Sequence, residues 1–233
     1  MSTSGSTRRP VLRFFWASTR KSHGAASARF LTKASRLGSS RWARSTSSTS
    51  ADLCSGCGIV SLEWHDRGHR GPCLGLELQP EASALLAAAC TEQGIEHITP
   101  VCADLRSFRE GEGSYDLCAC NPPYFTAGEQ AADRARATAR HETDCALDDV
   151  CKCAFRLLKD GGRLSLCHRP ERLAEVLAVL RANRLEPKRL AFVKNRPDAA
   201  PWLFLVEAQK NRNTGLRVEP DVLISAGAAM YGR

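Results

Sequence analysis

The residues whose types and spacing speak most plainly of chemistry are Asn121-Pro122-Pro123-Tyr124. An asparagine side chain offers a carbonyl acceptor and an amide donor. Pro122 and Pro123 have a fixed φ and no N–H, so the backbone is stiff there and presents carbonyls as acceptors. Tyr124 adds a flat ring. Together they form a rigid acceptor clamp beside an aromatic plate, which suits an amino group on a planar ring. The tetrapeptide follows Tyr115-Asp116-Leu117-Cys118-Ala119-Cys120, an apolar, β-compatible run. Asn121 therefore falls just past the C-terminal end of a strand, where open α/β sheets bind ligands. A Pro-Pro pair also makes a plain stiff loop, and Asn before Pro a turn, so the motif needs a companion.

That companion lies upstream. Asp52-Leu53-Cys54-Ser55-Gly56-Cys57-Gly58 reads as a strand end and a tight loop, with a helix starting at Ile59. Gly56 and Gly58 permit close backbone approach. Glu77 follows Gly58 by 19 residues and closes the strand-like run Cys73-Leu74-Gly75-Leu76-Glu77. An acid at the tip of a second strand can hold the two hydroxyls of a ribose. A nicotinamide cofactor prefers Gly-x-Gly-x-x-Gly, but the third place here is Ser61, so the loop fits S-adenosylmethionine (SAM) better. A third strand-like run, Ile98–Cys102, leads to Asp104. Each of the three acids also has an ordinary reading as a helix cap or a solvated surface group.

These residues must be positioned by alternating strands and helices. The pattern predicts helices over Glu81–Gln93 and Cys145–Leu158, the second stopped by Gly161-Gly162, and a third over Pro170–Asn183 with proline at its start. Strands are expected over Ile98–Cys102, Arg163–Cys167, Arg189–Lys194 and Trp202–Ala208, the last two close enough to pair antiparallel. Residues 125–143 read as polar loop or partial helix. Such alternation implies a mainly parallel sheet with helices on both faces.

The charge is uneven. Ten of the 33 Lys and Arg lie in residues 1–50, with no acid, so the other 23 face 25 acidic residues and the remainder is near neutral. The basic balance of +8 is therefore weak evidence for a nucleic-acid partner. Residues 1–50 also hold 19 Ser or Thr and no sustained apolar period. Three readings compete for them: a disordered basic arm, a transit-like peptide, and a mistranslated frame upstream of a genuine domain. The abrupt change near residue 50 favours the last. The expected domain is 51–219, with 220–233 as a tail. The eleven cysteines are spread through apolar segments, with no secretory signal or transmembrane run, which excludes a disulfide framework and points to a reducing cytoplasm. Cys54-x-x-Cys57 has no second pair at zinc spacing and lies inside the glycine loop, so small loop residues are favoured over a metal or redox site.

From about Ala51 to Glu219 the chain resembles the bacterial tRNA (adenine-N6) methyltransferases that modify a valine tRNA beside its anticodon. The resemblance is carried by Asp52 to Gly58, Leu76-Glu77-Leu78, Ala103-Asp104, Asp116 to Phe125, Arg140-His141-Glu142, Leu157 to Gly162, His168 to Leu173 and Leu185 to Arg189. It implies a Rossmann-like α/β fold with a seven-stranded, mainly parallel sheet whose last strand is antiparallel. It also implies SAM as cofactor, tRNA as partner, and neither metal nor membrane; a monomer is favoured. The cofactor would be held by Asp52, Cys54, Gly56, Gly58, Glu77, Leu78, Asp104, Leu105 and Asn121. Asp52 would orient the methionine end, Glu77 the ribose and Asp104 the adenine amino group, while Asn121, Pro122 and Tyr124 act on the substrate base. Lys188, Arg189, Lys194 and Arg196 could contact phosphates or form a solvated face. Arg140 and His141 could touch substrate or form a loop salt bridge. The family's upstream aromatic–Ser/Thr–Asp–Ala–Leu-Leu-like segment is not found. The Asn-Pro-Pro-Tyr signature is shared with glutamine-N5 methyltransferases, which need a preceding helical domain. Guanine-N2 rRNA methyltransferases usually have Phe in place of Tyr124. An RNA-binding relic without activity is the reading from a different class.

Overall fold

The computed structural model describes residues 47–122 and 146–223. Five strands run parallel in its sheet: β1 (Ser50–Leu53), β2 (Cys73–Glu77), β3 (Ile98–Cys102), β4 (Tyr115–Cys120) and β5 (Leu158–His168). β6 (Leu185–Lys194) and β7 (Leu203–Lys210) complete the main sheet, in the order β3-β2-β1-β4-β5-β7-β6. β7 is antiparallel to both of its neighbours and lies inside the sheet rather than at its edge. Two short strands, β8 (Arg217–Val218) and β9 (Val222–Leu223), pair with β6. The domain thus extends beyond the expected boundary at 219, because Val222 is buried against Val193 in the register.

Strand alternation sorts the two faces. Leu53, Cys118, Cys120, Leu164 and Leu166 pack under helices α3 (Leu147–Leu157) and α4 (Leu173–Ala182). On the other face, Ala119, Cys167, Ala191 and Leu205 pack in a cluster that includes Val60 and Trp64 of α1 (Ile59–Asp66) and Leu86 and Cys90 of α2 (Pro80–Gln93). α3 follows from its pattern: Leu147, Val150, Cys151, Ala154 and Leu157 form one buried stripe. α2 opens at Pro80, one residue before the expected start, with proline in the first turn.

Three sequence expectations are corrected. β1 begins at Ser50, which is 1% exposed, so the polar tract does not end cleanly at residue 50. Its hydroxyl lies 3.1 Å from His69 Nε2, and Thr49 donates its N–H to Asp116 Oδ2 at 2.9 Å; these partners hold the polar start of β1 in the sheet. Gly161-Gly162 does not stop a helix. α3 ends at Leu157, and both glycines lie within β5. Gly161 has φ +74°, and a Cβ there would come within 2.0 Å of Arg212 Nη2, so the glycine answers to the chain beyond β7. The segment from Pro170 begins as a short 3-10 turn, Pro170–Arg172, before α4. Residues 1–46, 125–143 and 224–233 lie outside the described residues.

Candidate active site

Because β1 to β5 are parallel, their C-terminal ends share one rim. The loop after β1 carries the glycines, β2 ends on Glu77, Asp104 follows β3, and Asn121 follows β4. The register pairs Leu53 with both Leu76 and Cys120, so the glycine loop starts between Glu77 and Asn121. The predicted residues on these strands are therefore brought together by pairing alone.

The loop is held by internal bonds. Asp52 is 1% exposed, and its Oδ2 accepts both the N–H of Ser61 at 3.1 Å and the Ser61 hydroxyl at 2.8 Å. It fixes the first turn of α1, where unpaired N–H groups and the helix dipole favour an anion. Burial outweighs those bonds and pushes the Asp52 carboxyl up to about 7. Glu77 is the second anchor. Its Oε2 accepts the Gly56 N–H at 2.7 Å and its Oε1 the Gln79 N–H at 3.0 Å. Ser55 continues the sheet by donating its N–H to the Leu76 carbonyl at 3.0 Å. Cys54 turns the chain with φ 55°, in the left-handed region that non-glycine residues seldom adopt.

The two loop glycines serve different ends. Gly58 has φ +82°, and a Cβ there would sit 2.2 Å from Leu86 Cδ1; Gly75 meets the same leucine at 2.5 Å. Leu86 is fully buried and acts as a peg from α2 into the space both glycines vacate. At Gly56 a Cβ would meet nothing within 4 Å. The open side of the loop is therefore at Gly56, and the close packing at Gly58 is with protein.

Asp104 forms a compact cap. Its Oδ1 accepts the Arg106 N–H at 2.9 Å, and the Arg106 guanidinium grips both carboxylate oxygens at 2.6–3.0 Å. Those bonds hold its carboxyl below the usual range. Leu78 is 41% exposed beside Glu77, whereas Leu105 is 7% exposed and belongs to the core. Asn121 is partly exposed and Pro122 buried. Asn121 Oδ1 accepts a hydrogen bond from the Cys167 thiol at 3.1 Å. Pro123, Tyr124, Arg140 and His141 lie outside the described residues.

The cations weighed as phosphate contacts or a solvated face have partners within the protein. Arg189 is 8% exposed and pairs with Glu207 and, at 2.8 Å, with Glu219. Lys188 donates to the Asn213 carbonyl, and Lys194 pairs with Asp221 at 2.7 Å. These cations tie β6 to the C-terminal strands. Arg196, with Asp198 3.7 Å away, is highly exposed. The ten described cysteines form no disulfide, and among the described residues no group of three His, Cys, Asp or Glu is arranged to hold a metal ion.

No family model matches the chain. A Porphyromonas gingivalis protein described as tRNA1(Val) (adenine(37)-N6)-methyltransferase is 31% identical over 161 residues, covering 67% of this chain and 63% of that protein. Proteins of the same description from Shewanella halifaxensis and Shewanella loihica are 30% identical over 139 residues and 29% identical over 177, covering 57% and 71% of this chain and 54% and 70% of those proteins. Over about two thirds of its length the chain is thus similar to proteins described as tRNA (adenine-N6) methyltransferases. It spans a little under two thirds of the Porphyromonas relative's length. Among solved structures, a predicted O-methyltransferase from Agrobacterium tumefaciens superposes with a TM-score of 0.66 at 19% identity, covering 84% of this chain and 86% of that one. Geranyl diphosphate methyltransferase in complex with SAM does so with a TM-score of 0.58 at 16% identity, covering 80% and 85%. The fold is that of the Rossmann-like SAM-dependent methyltransferases.

Three residues near the rim were not singled out by sequence reasoning: Ser61, Leu86 and Cys167. Ser61 was legible in principle, as a hydroxyl nine residues after an acid at a strand end. Leu86 and Cys167 carry no local signal, because each acts on a residue distant in the chain. His168, next to Cys167, is 1% exposed and accepts the Arg169 N–H at Nδ1. Burial, with Arg172 beside it, lowers its pKa to about 4, so it is neutral.

Proposed function

We propose that the protein is a SAM-dependent methyltransferase acting on the N6 amino group of an adenine in tRNA, in the anticodon-loop region, and that it works in the cytoplasm. The observation that carries this reading is the pairing of Leu53 with Cys120. It sets the start of the glycine loop beside Asn121, so the cofactor side and the acceptor side of a transfer are neighbours on one rim. Similarity to proteins described as tRNA1(Val) (adenine(37)-N6)-methyltransferase supports the choice of adenine over the other amino and amide nitrogens that the Asn-Pro-Pro-Tyr signature serves. No described helix is long and apolar enough to cross a membrane.

The described residues fit SAM. Glu77 uses one lone pair on each oxygen for Gly56 and Gln79, which leaves one on each for a pair of ribose hydroxyls. Exposed Leu78 offers an apolar flank for a base, and the loop is open at Gly56. Asp52 acts through the loop and α1. Asp104 would reach the adenine amino group only by sharing its carboxylate with Arg106. SAM, when bound, supplies an electrophilic methyl group.

The amino nitrogen of adenine is a poor nucleophile because its lone pair is delocalised into the ring. Asn121 Oδ1 and the Pro122 carbonyl would accept hydrogen bonds from its two N–H groups and favour a more tetrahedral nitrogen, its lone pair free to point at the methyl. Tyr124 stacks on the base and fixes the line of approach. The catalysis is positioning and electrostatic complementarity. The base must leave its stack to reach the rim, and a nucleotide in a loop is already partly splayed.

The test is a labelled-SAM assay on bulk tRNA with the product nucleosides identified by mass. The wild type should yield N6-methyladenosine. Asn121→Ala should lose about a hundred- to a thousand-fold in turnover and keep its SAM affinity within a few fold. Methylguanosine, methylglutamine on a protein substrate, or SAM binding with no RNA product would refute the reading.

A further inference from the structure

We propose that Cys167 is a positioning residue for Asn121, its thiol selecting the orientation of the carboxamide. The inference rests on the function proposed above and goes one step deeper into that site. The register between β4 and β5 pairs Cys120 with Leu166, so the next residues, Asn121 and Cys167, stand side by side. Cys167 packs on the sheet face of Ala119, the face to which Asn121 returns by alternation. The thiol is 0% exposed and donates to Asn121 Oδ1 at 3.1 Å.

The terminal torsion of an asparagine has two nearly equivalent settings, with oxygen and NH₂ exchanged. They are opposite in chemistry. With the oxygen in place, the side chain accepts a proton from the substrate amine; with the NH₂ in place, donor meets donor. A neighbouring S–H distinguishes them because it has a hydrogen to give. A thiol is also a weak donor, and a carboxamide oxygen has two lone pairs, so one S–H bond does not exhaust its accepting capacity. A charged donor in the same place would draw that capacity away. Leu205, opposite Cys167 in β7, backs the thiol from the other side.

Cys167→Ser keeps a donor. Cys167→Val fills the space without one, and Cys167→Ala does neither. If Cys167 orients Asn121, turnover on tRNA should rank wild type and Cys167→Ser together, within about two-fold. Cys167→Val and Cys167→Ala should fall about three- to ten-fold in kcat, with the KM for tRNA and the Kd for SAM unchanged. A residue that only packs predicts the reverse order, since a valine suits a buried apolar site and a hydroxyl does not. Cys167→Ser as the worst variant, or equal kcat in all four proteins, overturns the proposal. A second readout needs no turnover. The side-chain amide resonances of Asn121, identified by their loss in Asn121→Asp, should keep their shifts in Cys167→Ser and move or broaden in Cys167→Val. Identical resonances in Cys167→Val would overturn the proposal even if the wild type methylates nothing. A wild type without product refutes the methyltransferase reading alone.

Discussion

Replacing Glu77 separates its work on the loop from its work on a ligand. The carboxylate accepts two backbone N–H groups, Gly56 at 2.7 Å and Gln79 at 3.0 Å, from the two segments that border the open side of the rim. Hydrogen bonds to a charged acceptor are worth about 1.5–3 kcal/mol each when shielded. Glu77 is partly exposed, so solvent screening brings the scale to or just below that lower limit, about 1–1.5 kcal/mol per bond. Glu77→Ala should then destabilise the fold by about 2–3 kcal/mol, and at about 2–4 °C per kcal/mol its melting temperature should fall by about 4–12 °C. Glu77→Gln retains one acceptor oxygen and should lose about half as much. SAM affinity, measured by calorimetry well below both melting temperatures, should fall in both variants, because the glutamine amide cannot accept from both backbone N–H groups and both hydroxyls. The outcome that refutes the reasoning is Glu77→Ala melting with the wild type. Unchanged SAM affinity in a destabilised Glu77→Ala protein would leave the loop anchor standing and remove Glu77 from the cofactor site.

Gly58→Ala should destabilise the fold by more than the roughly 1 kcal/mol of a left-handed alanine, since the methyl group would meet Leu86 at 2.2 Å. Gly58→Ala combined with Leu86→Ala should recover part of the loss in urea melts, and strict additivity would argue against the peg. Asp52, whose folded pKa of about 7 lies above its ordinary value of 3.8, contributes stability below about pH 4 that is lost as the pH rises through about 7. Asp52→Asn, which stays neutral, should therefore gain on the wild type by up to about 4 kcal/mol between those limits, and a flat difference in urea melts at pH 4.5, 6 and 7.5 would contradict this. His168 slopes the other way: its folded pKa of about 4 lies below the ordinary 6.5, so its contribution is present above about 6.5 and lost as the pH falls towards 4, and His168→Phe should flatten that acid-side loss.

Much of the rim was legible because it is written in local signals. A glycine loop after a strand, an acid closing the next one and Asn121 after Cys120 are each read from neighbours in the chain, and parallel pairing assembles them. What was missed depends on partners distant in sequence. The Ser-rich tract was read as ending at residue 50, but Ser50 opens β1 with His69 opposite its hydroxyl. Gly161 looked like a helix stop, but its carbonyl accepts from the Gln209 side chain at 2.7 Å and Arg212 occupies the space where its side chain would be. Lys188, Arg189 and Lys194 looked like a basic face, but their partners come from residues 207–221, where no periodic signal announced them. Gly58 was read as a close approach, and the neighbour that the structure sets beside it is Leu86.

The antiparallel β7 has a consequence for the order in which the molecule comes into being. During synthesis, β1 to β5 emerge first, and β5 is then an edge strand with its ladder of N–H and C=O groups exposed to any other chain. β6 cannot cover it, because the position beside β5 belongs to residues 203–210. Until Lys210 has left the ribosome, the strand bearing Cys167 lacks its neighbour, and the backing that Leu205 provides is missing. A nascent chain halted near Lys194 would therefore carry a nearly complete set of rim residues on a sheet open at β5, the state in which aggregation competes best with folding. The last main strand to be made is the one that closes the sheet beside the candidate site.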